Sequence, residues 1–379
     1  MKKVKMNSLE LLDSIKFRKM ALDRKLFAAK GSSKSLNVNY NTNEVSKLLH
    51  PGNQKVLVKE IINESKEYKT LVLVSSNKDE TLATFKSGQW VNVTVNVEES
   101  VVTRPYFISS SPKMARNGEY RITVKNYTKG VVSNYLFNTL KVGDSLEISE
   151  PCGDFVYSGI RDQKRIIGIA YDSGISAFYS LAQSILEGEE DVELVLYYGA
   201  KKEKNLIFKE KFDDIVCKTN KVKVYYVLSD EDNEQYLNGM VDLRMVKEEL
   251  YSAVSFFIAV PKDTLDYLNK EFKSLKLPRK YFRYQVVSPM EKEKKYKLYK
   301  LTVVTRKEIL IIPCQSNESL MTAMEKEGIK ITDSVCRSKL VYGKVKILDD
   351  NRKKADAKYN YIIPRDTFPE DDCKIELPI

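Results

Sequence analysis

Histidine, tryptophan and long apolar runs are what this chain has least of. Its 379 residues include one histidine, His50, and one tryptophan, Trp90. A single histidine excludes histidine-rich metal chemistry, and its setting in LLHPGN, beside Pro51 and Gly52, predicts a surface loop at a helix stop. The five cysteines (Cys152, Cys217, Cys314, Cys336 and Cys373) are odd in number, scattered and never in a CxxC pair. That pattern argues against a disulfide framework and a tetrahedral zinc site, leaving free thiols. No apolar run approaches the roughly 18 residues of a membrane helix. The N-terminal MKKVKMNSLELLDSIKF also lacks the apolar core and small-residue cleavage site of a signal peptide. The expectation is a cytoplasmic chain with no membrane span. No nucleic-acid-binding module and no basic-aromatic repeat is present, so nucleic acid is excluded as the expected partner.

Charge is abundant, with 63 Lys and Arg against 52 Asp and Glu, a formal net charge of +11. The lysines run through the whole chain, which reads as a solvated surface. The sharper reading is a docking face for an acidic electron carrier or for nucleotide phosphates. The length suits two or three domains, with enough apolar content for real cores.

The pattern divides the chain into four parts. Residues 1–50 carry helical spacing in SLELLDSIKFRKMALDRKLFAA and NEVSKLLH, an N-terminal helical extension. Residues 54–158 hold short β-branched and aromatic runs between turns, including GQWVNVTVNV, YFISSSP, YRITVKNY and DSLEISEP, which predict an antiparallel β-barrel. Over residues 160–288 continuous apolar strands (RIIGIAY, DVELVLYYGA, VKVYYVLSD, AVSFFIAVP) alternate with helical segments, predicting an α/β domain with a parallel sheet. The charged SPMEKEKKYK leads into a last domain, residues 296–379.

The chemistry is concentrated in Arg104-Pro-Tyr-Phe-Ile-Ser-Ser-Ser-Pro112 and Gly130-Val-Val-Ser-Asn-Tyr-Leu136. Arg104 and Tyr106, two apart on a strand, share a face and can offer a permanent cation and a flat ring to one ligand. Gly130 permits close approach of backbone. Ser133 falls where a helix starting near Val132 would present free N–H groups to a phosphate. Two anion sites suit a dinucleotide, and the segment reads as a flavin diphosphate site.

These motifs resemble the flavin-dependent ferredoxin-NAD(P) reductase superfamily, in the version fused to a C-terminal plant-type ferredoxin domain. The resemblance covers roughly residues 54–379 and implies a β-grasp fold for the last domain. RPYFISSSP is similar to the family's flavin signature, which implies FAD with Arg104 on its diphosphate and Tyr106 stacked on its ring. The implied cofactor contacts are Arg104, Tyr106, Phe107, Ser109, Gly130, Val131, Val132 and Ser133. The family usually has a hydroxyl after the tyrosine to hydrogen-bond flavin N5; Phe107 cannot supply that bond, though a backbone N–H can substitute.

The nucleotide half departs further from the family. Ala170-Tyr-Asp-Ser-Gly-Ile-Ser-Ala177 stands where the family has a glycine-rich loop for the NAD(P)H phosphates. Gly174 and Ser176 match that pattern, whereas Tyr171 adds bulk and Asp172 adds a negative charge expected to repel a diphosphate. The family's Cys-Gly-Pro is Ala259-Val260-Pro261, without the thiol. In the last domain a 2Fe-2S centre needs three thiolates at C-x4-C-x2-C and a fourth elsewhere. Cys336 matches one; Val341 and Lys344 stand at the next two positions, Pro364 at the fourth, and Cys373 comes nine residues later. The expectation is a ferredoxin-like fold with no 2Fe-2S cluster.

Two functions follow from the resemblance. One is an FAD-dependent oxidoreductase that takes electrons from NAD(P)H or another donor and passes them to an external redox partner. The other is a non-catalytic or altered subunit of a redox complex that keeps the reductase scaffold.

Overall fold

Alternating β-branched residues over 54–148 form an antiparallel sheet in this computed structural model. It describes residues 8–29, 52–77, 81–97, 100–127, 130–250, 252–275, 278–287, 297–306, 308–316, 318–329, 345–348, 361–362, 364 and 367–377. The chain divides into two units, Met1–Leu49 and His50–Ile379. The first contains helix α1, Ser8–Ala29, as its spacing predicts. Ile15, Leu22 and Leu26 lie along one exposed face of it and Phe17 and Met20 along another. The expected helix at NEVSKLLH, with His50, lies outside the described residues.

In the second unit the barrel strands are β1 (Gln54–Asn63), β2 (Tyr68–Ser75), β3 (Trp90–Val97), β4 (Ser100–Phe107), β5 (Glu119–Lys125) and β6 (Ser145–Ile148). Their order is β4-β3-β6-β1-β2-β5, and every neighbouring pair is antiparallel. The two edges meet through the Ile108 to Ile122 bridge, where the Ser109 N–H donates to the Arg121 carbonyl at 2.7 Å. Val56, Leu71, Val91, Val93, Ile122 and Ile148 fill the interior. The run YFISSSP is a strand only as far as Phe107; a short helix, Pro112–Arg116, follows because proline is favoured at a helix start.

The following sheet is wholly parallel: β7 (Arg165–Tyr171), β8 (Glu193–Ala200), β9 (Val222–Leu228), β10 (Leu237–Asn238), β11 (Ser255–Val260) and β12 (Phe282–Val286). Its order is β10-β9-β8-β7-β11-β12, so the winding reverses between β7 and β11. In open α/β sheets such a reversal marks the ligand-binding crevice.

Trp90, Phe107 and Phe155 of the barrel side pack into one apolar cluster with Phe178 and Phe257 of the parallel-sheet side. Phe155 and Phe257 have ring centroids 5.2 Å apart. Gly153 makes room for this. Its φ is +114°, and a Cβ there would come within 2.5 Å of the Trp90 ring. Gly153→Ala combines a left-handed backbone with an overlap, and an expected loss of about 2–3 kcal/mol follows. Because Trp90 is the chain's single tryptophan, a lowered melting temperature should be accompanied by a shifted native emission maximum.

The last sheet comprises β13 (Leu298–Val304), β14 (Ile309–Gln315), β15 (Val345–Ile347), β16 (Tyr361–Ile362) and β17 (Cys373–Glu376), in the order β14-β13-β17-β15-β16. Its first and last strands, β13 and β17, pair in parallel, the mixed arrangement expected of a β-grasp domain. The helix Leu320–Lys326 packs Leu320, Ala323 and Met324 into its core. Ser319 caps that helix by accepting from the Thr322 N–H at 3.2 Å. Cys336, Val341 and Lys344, on which the cluster expectation turns, lie outside the described residues.

Candidate functional site

Strand alternation puts Arg104 and Tyr106 on one face of β4, opposite Val93 and Val91 of β3, while Phe107 points the other way and faces Trp90. The helix Val131–Asn134, here α2, packs against both β4 and β3. The guanidinium and phenol ring thus share one face of β4, and the helix that starts after Gly130 packs on the same strand. The first-turn N–H groups of Val131, Val132 and Ser133 are those for which a helix has no internal acceptor.

Two side chains of the motifs bond within the chain itself. The Ser133 hydroxyl folds back and donates to the Gly130 carbonyl at 3.2 Å. A Cβ at Gly130 would run into that hydroxyl, so any other residue there would force Ser133 to rotate and give up this bond. Ser109 is buried, and its hydroxyl sits 3.1 Å from both the Arg121 carbonyl and Thr123 Oγ1. These bonds help to close the barrel.

Phe107 packs edge-on against Trp90, with centroids 6.1 Å apart at 88°, and lies 6.0 Å from Phe155. Its apolar ring completes the cluster that joins barrel and parallel sheet. A hydroxyl in that position would lack apolar complementarity.

Asp172 is a correction to the sequence reading. Its carboxylate accepts from Tyr68 Oη at 2.7 Å, Lys125 Nζ at 2.8 Å, Tyr127 Oη at 3.0 Å and its own neighbour's N–H, Ser173, at 2.7 Å. The negative charge expected to repel a diphosphate is turned towards the barrel and neutralised by Lys125. Burial, and then the Asp172 charge, push the Tyr68 phenol well above its usual range, so it remains a donor. Tyr171 is likewise removed from the crevice. Its ring lies over Gly199, its hydroxyl accepts from the Val241 N–H at 3.0 Å, and burial raises its pKa to about 12.

Gly174 and Ser176 flank the start of α3, Ile175–Leu186, at the reversal between β7 and β11. Ser176 is 1% exposed, and its hydroxyl lacks a hydrogen-bond partner. Across the sheet Gln285 is opposite Ala259, and its buried Oε1 is also unpartnered. Buried polar atoms of this kind are ordinarily satisfied, so both fit a polar ligand in the crevice. Gln285 was not marked by any sequence motif. Neither were Tyr68, Lys125 and Tyr127, although YRITVKNY carries two of them.

The largest surprise is Glu325, in the helix Leu320–Lys326, here α4. Arg104 Nη1 and Nη2 each donate to one of its carboxylate oxygens at 2.5 Å, and Nη1 also reaches the Thr103 carbonyl at 2.9 Å. The partners are 221 positions apart in sequence, too remote for a local pattern to reveal.

Comparison with known proteins fits this geometry. Residues 55–157 match the family model described as "Oxidoreductase FAD-binding domain" and residues 169–260 the one described as "Oxidoreductase NAD-binding domain". A flavohemoprotein of Oceanobacillus iheyensis is 27% identical over 242 residues, 61% of this chain and 59% of that protein. NADH-cytochrome b5 reductase 1 of Dictyostelium discoideum is 32% identical over 155 residues, 40% of this chain and 52% of that protein. The chain spans somewhat over half the length of these curated relatives. Among solved structures, phthalate dioxygenase reductase, described as a modular structure for electron transfer from pyridine nucleotides to [2Fe-2S], superposes with a TM-score of 0.66 at 17% identity. That match covers 86% of this chain and 98% of the other, so the likeness of fold extends beyond the two oxidoreductase domains.

Proposed function

We propose, from the premise that this chain carries the FAD-binding and NAD-binding oxidoreductase domains of the ferredoxin-NADP reductase family, that it is an FAD-dependent reductase passing electrons from NAD(P)H to an external acceptor. The observation that carries this reading is the shared face of Arg104 and Tyr106 beside the start of α2. FAD, when bound, supplies hydride acceptance and onward electron transfer.

The chain's own residues divide the work. Arg104 would hold the diphosphate, together with the first-turn N–H groups of Val131, Val132 and Ser133. Tyr106 offers its ring to the flavin. Burial raises the Tyr106 phenol, keeping it neutral against an electron-rich cofactor. Phe107 points to the opposite face of β4 and has no hydroxyl, so it leaves any hydrogen bond at N5 to backbone. On the nucleotide side, the Ser176 hydroxyl and the start of α3 would receive the NAD(P)H phosphates, with Asp172 kept out of the way by Lys125. Ala259 provides no thiol near the transferred hydride.

The acceptor is proposed to be a separate protein or the other subunit of a complex, because the last domain carries three cysteines, Cys314, Cys336 and Cys373, where an internal 2Fe-2S cluster needs four thiolates, and just one of them, Cys336, fits the ligand spacing. The second reading, a non-catalytic subunit, is favoured by one observation: the Arg104 fork is engaged by Glu325. Visible spectra of the purified or FAD-reconstituted chain during anaerobic addition of NADH and then NADPH separate the two. Flavin bands that bleach with either nucleotide are the expected result. Failure of both to bleach bound flavin would sink the reductase reading.

A further inference from the structure

The Arg104 to Glu325 pair does more than join two parts of the fold. A carboxylate and a phosphate present the same pair of oxygens to a guanidinium fork, and Glu325 occupies both Nη positions at 2.5 Å. Glu325 itself is ill placed without that cation. It stands next to last in α4, where the negative end of the helix dipole disfavours an acid. Its side chain is 5% exposed, so water cannot stabilise its charge. Leu320, Met321, Ala323 and Met324 are buried beneath the helix, which fixes α4 to its sheet and limits how far the carboxylate can withdraw.

Resting on the flavin reading above, we propose that Glu325 is an internal competitor for the diphosphate site. With α4 docked on β4, Arg104 is held by a carboxylate in a closed state of low cofactor affinity. Binding of a flavin diphosphate displaces Glu325, and the docking of the C-terminal sheet weakens in step. By reciprocity, whatever lifts α4 from β4 raises the affinity for the cofactor by the same factor. A merely structural role for Glu325 makes the opposite prediction, since losing the partner would disorder Arg104 and weaken binding.

The test is FAD titration of the apoprotein, followed by quenching of flavin fluorescence, for the full chain and its Glu325→Gln and Glu325→Ala variants. The expected result is a Kd lowered roughly ten-fold or more in both variants, within the usual span of coupling between sites. Unchanged or weaker binding in both would overturn the proposal while leaving the flavin reading intact. Absence of FAD binding in all three proteins would remove the flavin reading, and the competition with it. Hydrogen exchange on the unmodified chain gives a check that does not depend on either variant's folding. Saturating FAD should accelerate exchange across residues 320–329, whereas unchanged or slower exchange there would count against displacement.

Discussion

Replacing Arg104 by alanine is expected to weaken FAD binding by about 10- to 100-fold, the largest single effect on cofactor affinity in this chain. The estimate follows from loss of a charge-assisted, two-pronged contact, roughly 1.5–3 kcal/mol. Arg104→Lys should recover part of the loss, because it restores a cation without restoring the fork. Titration of the two apoproteins with FAD decides the matter. In the Glu325→Gln background, where no competing carboxylate holds the fork, an Arg104→Ala change of less than three-fold would mean that the diphosphate does not use this arginine. The same substitution leaves Glu325 buried beneath β4 without its guanidinium, so the melting temperature should also fall. Glu325→Gln relieves that second consequence, and the double variant should melt higher than Arg104→Ala alone.

The second large effect concerns Gly174 and is one of stability. In the sequence this glycine reads as part of a loop opened for nucleotide phosphates. In the structure a Cβ at that position would overlap the carbonyl oxygen of Ala259 and lie 2.7 Å from its carbonyl carbon. Both atoms belong to the backbone of β11, a central strand whose registers with β7 and β12 are fixed, and neither can yield cheaply. Gly174→Ala is therefore expected to cost about 3 kcal/mol or more, with a melting temperature roughly 4 °C lower if the whole chain melts as one unit. Far-UV circular dichroism during heating measures it directly. A variant that melts normally and shows only a raised KM for NAD(P)H would return Gly174 to its phosphate role.

The two predictions bracket what could be read in advance. The shared face of Arg104 and Tyr106 and the helix start after Gly130 were each legible because their geometry is local, a two-residue strand period and a short helix start; the packing of α2 on β4 is a matter of the fold. The antiparallel and parallel sheets were legible for the same reason, each having its own hydrophobic period, whereas the small C-terminal sheet was expected from the family resemblance. Helix Lys209–Lys218 was missed: it is charged overall and buries mainly Phe212 and Ile215.

Side-chain partnerships were a different matter. Asp172 in the sequence is a negative charge beside an expected anion site. Only the fold shows that Lys125, Tyr68 and Tyr127, 45 to 104 positions away, have converged on it. Ser109 matched a cofactor motif, and the bonds by which its hydroxyl helps to close the barrel are likewise visible only in the fold.

By itself, then, the sequence determined the antiparallel and parallel sheets, their order along the chain and the shared face of Arg104 and Tyr106 on β4, because backbone period and turn chemistry act over a few residues. The tertiary structure alone decided which charges are spent. Asp172 is spent on Lys125 and Arg104 on Glu325, because an ion pair depends on distances of a few ångströms between atoms that the chain brings together from remote positions.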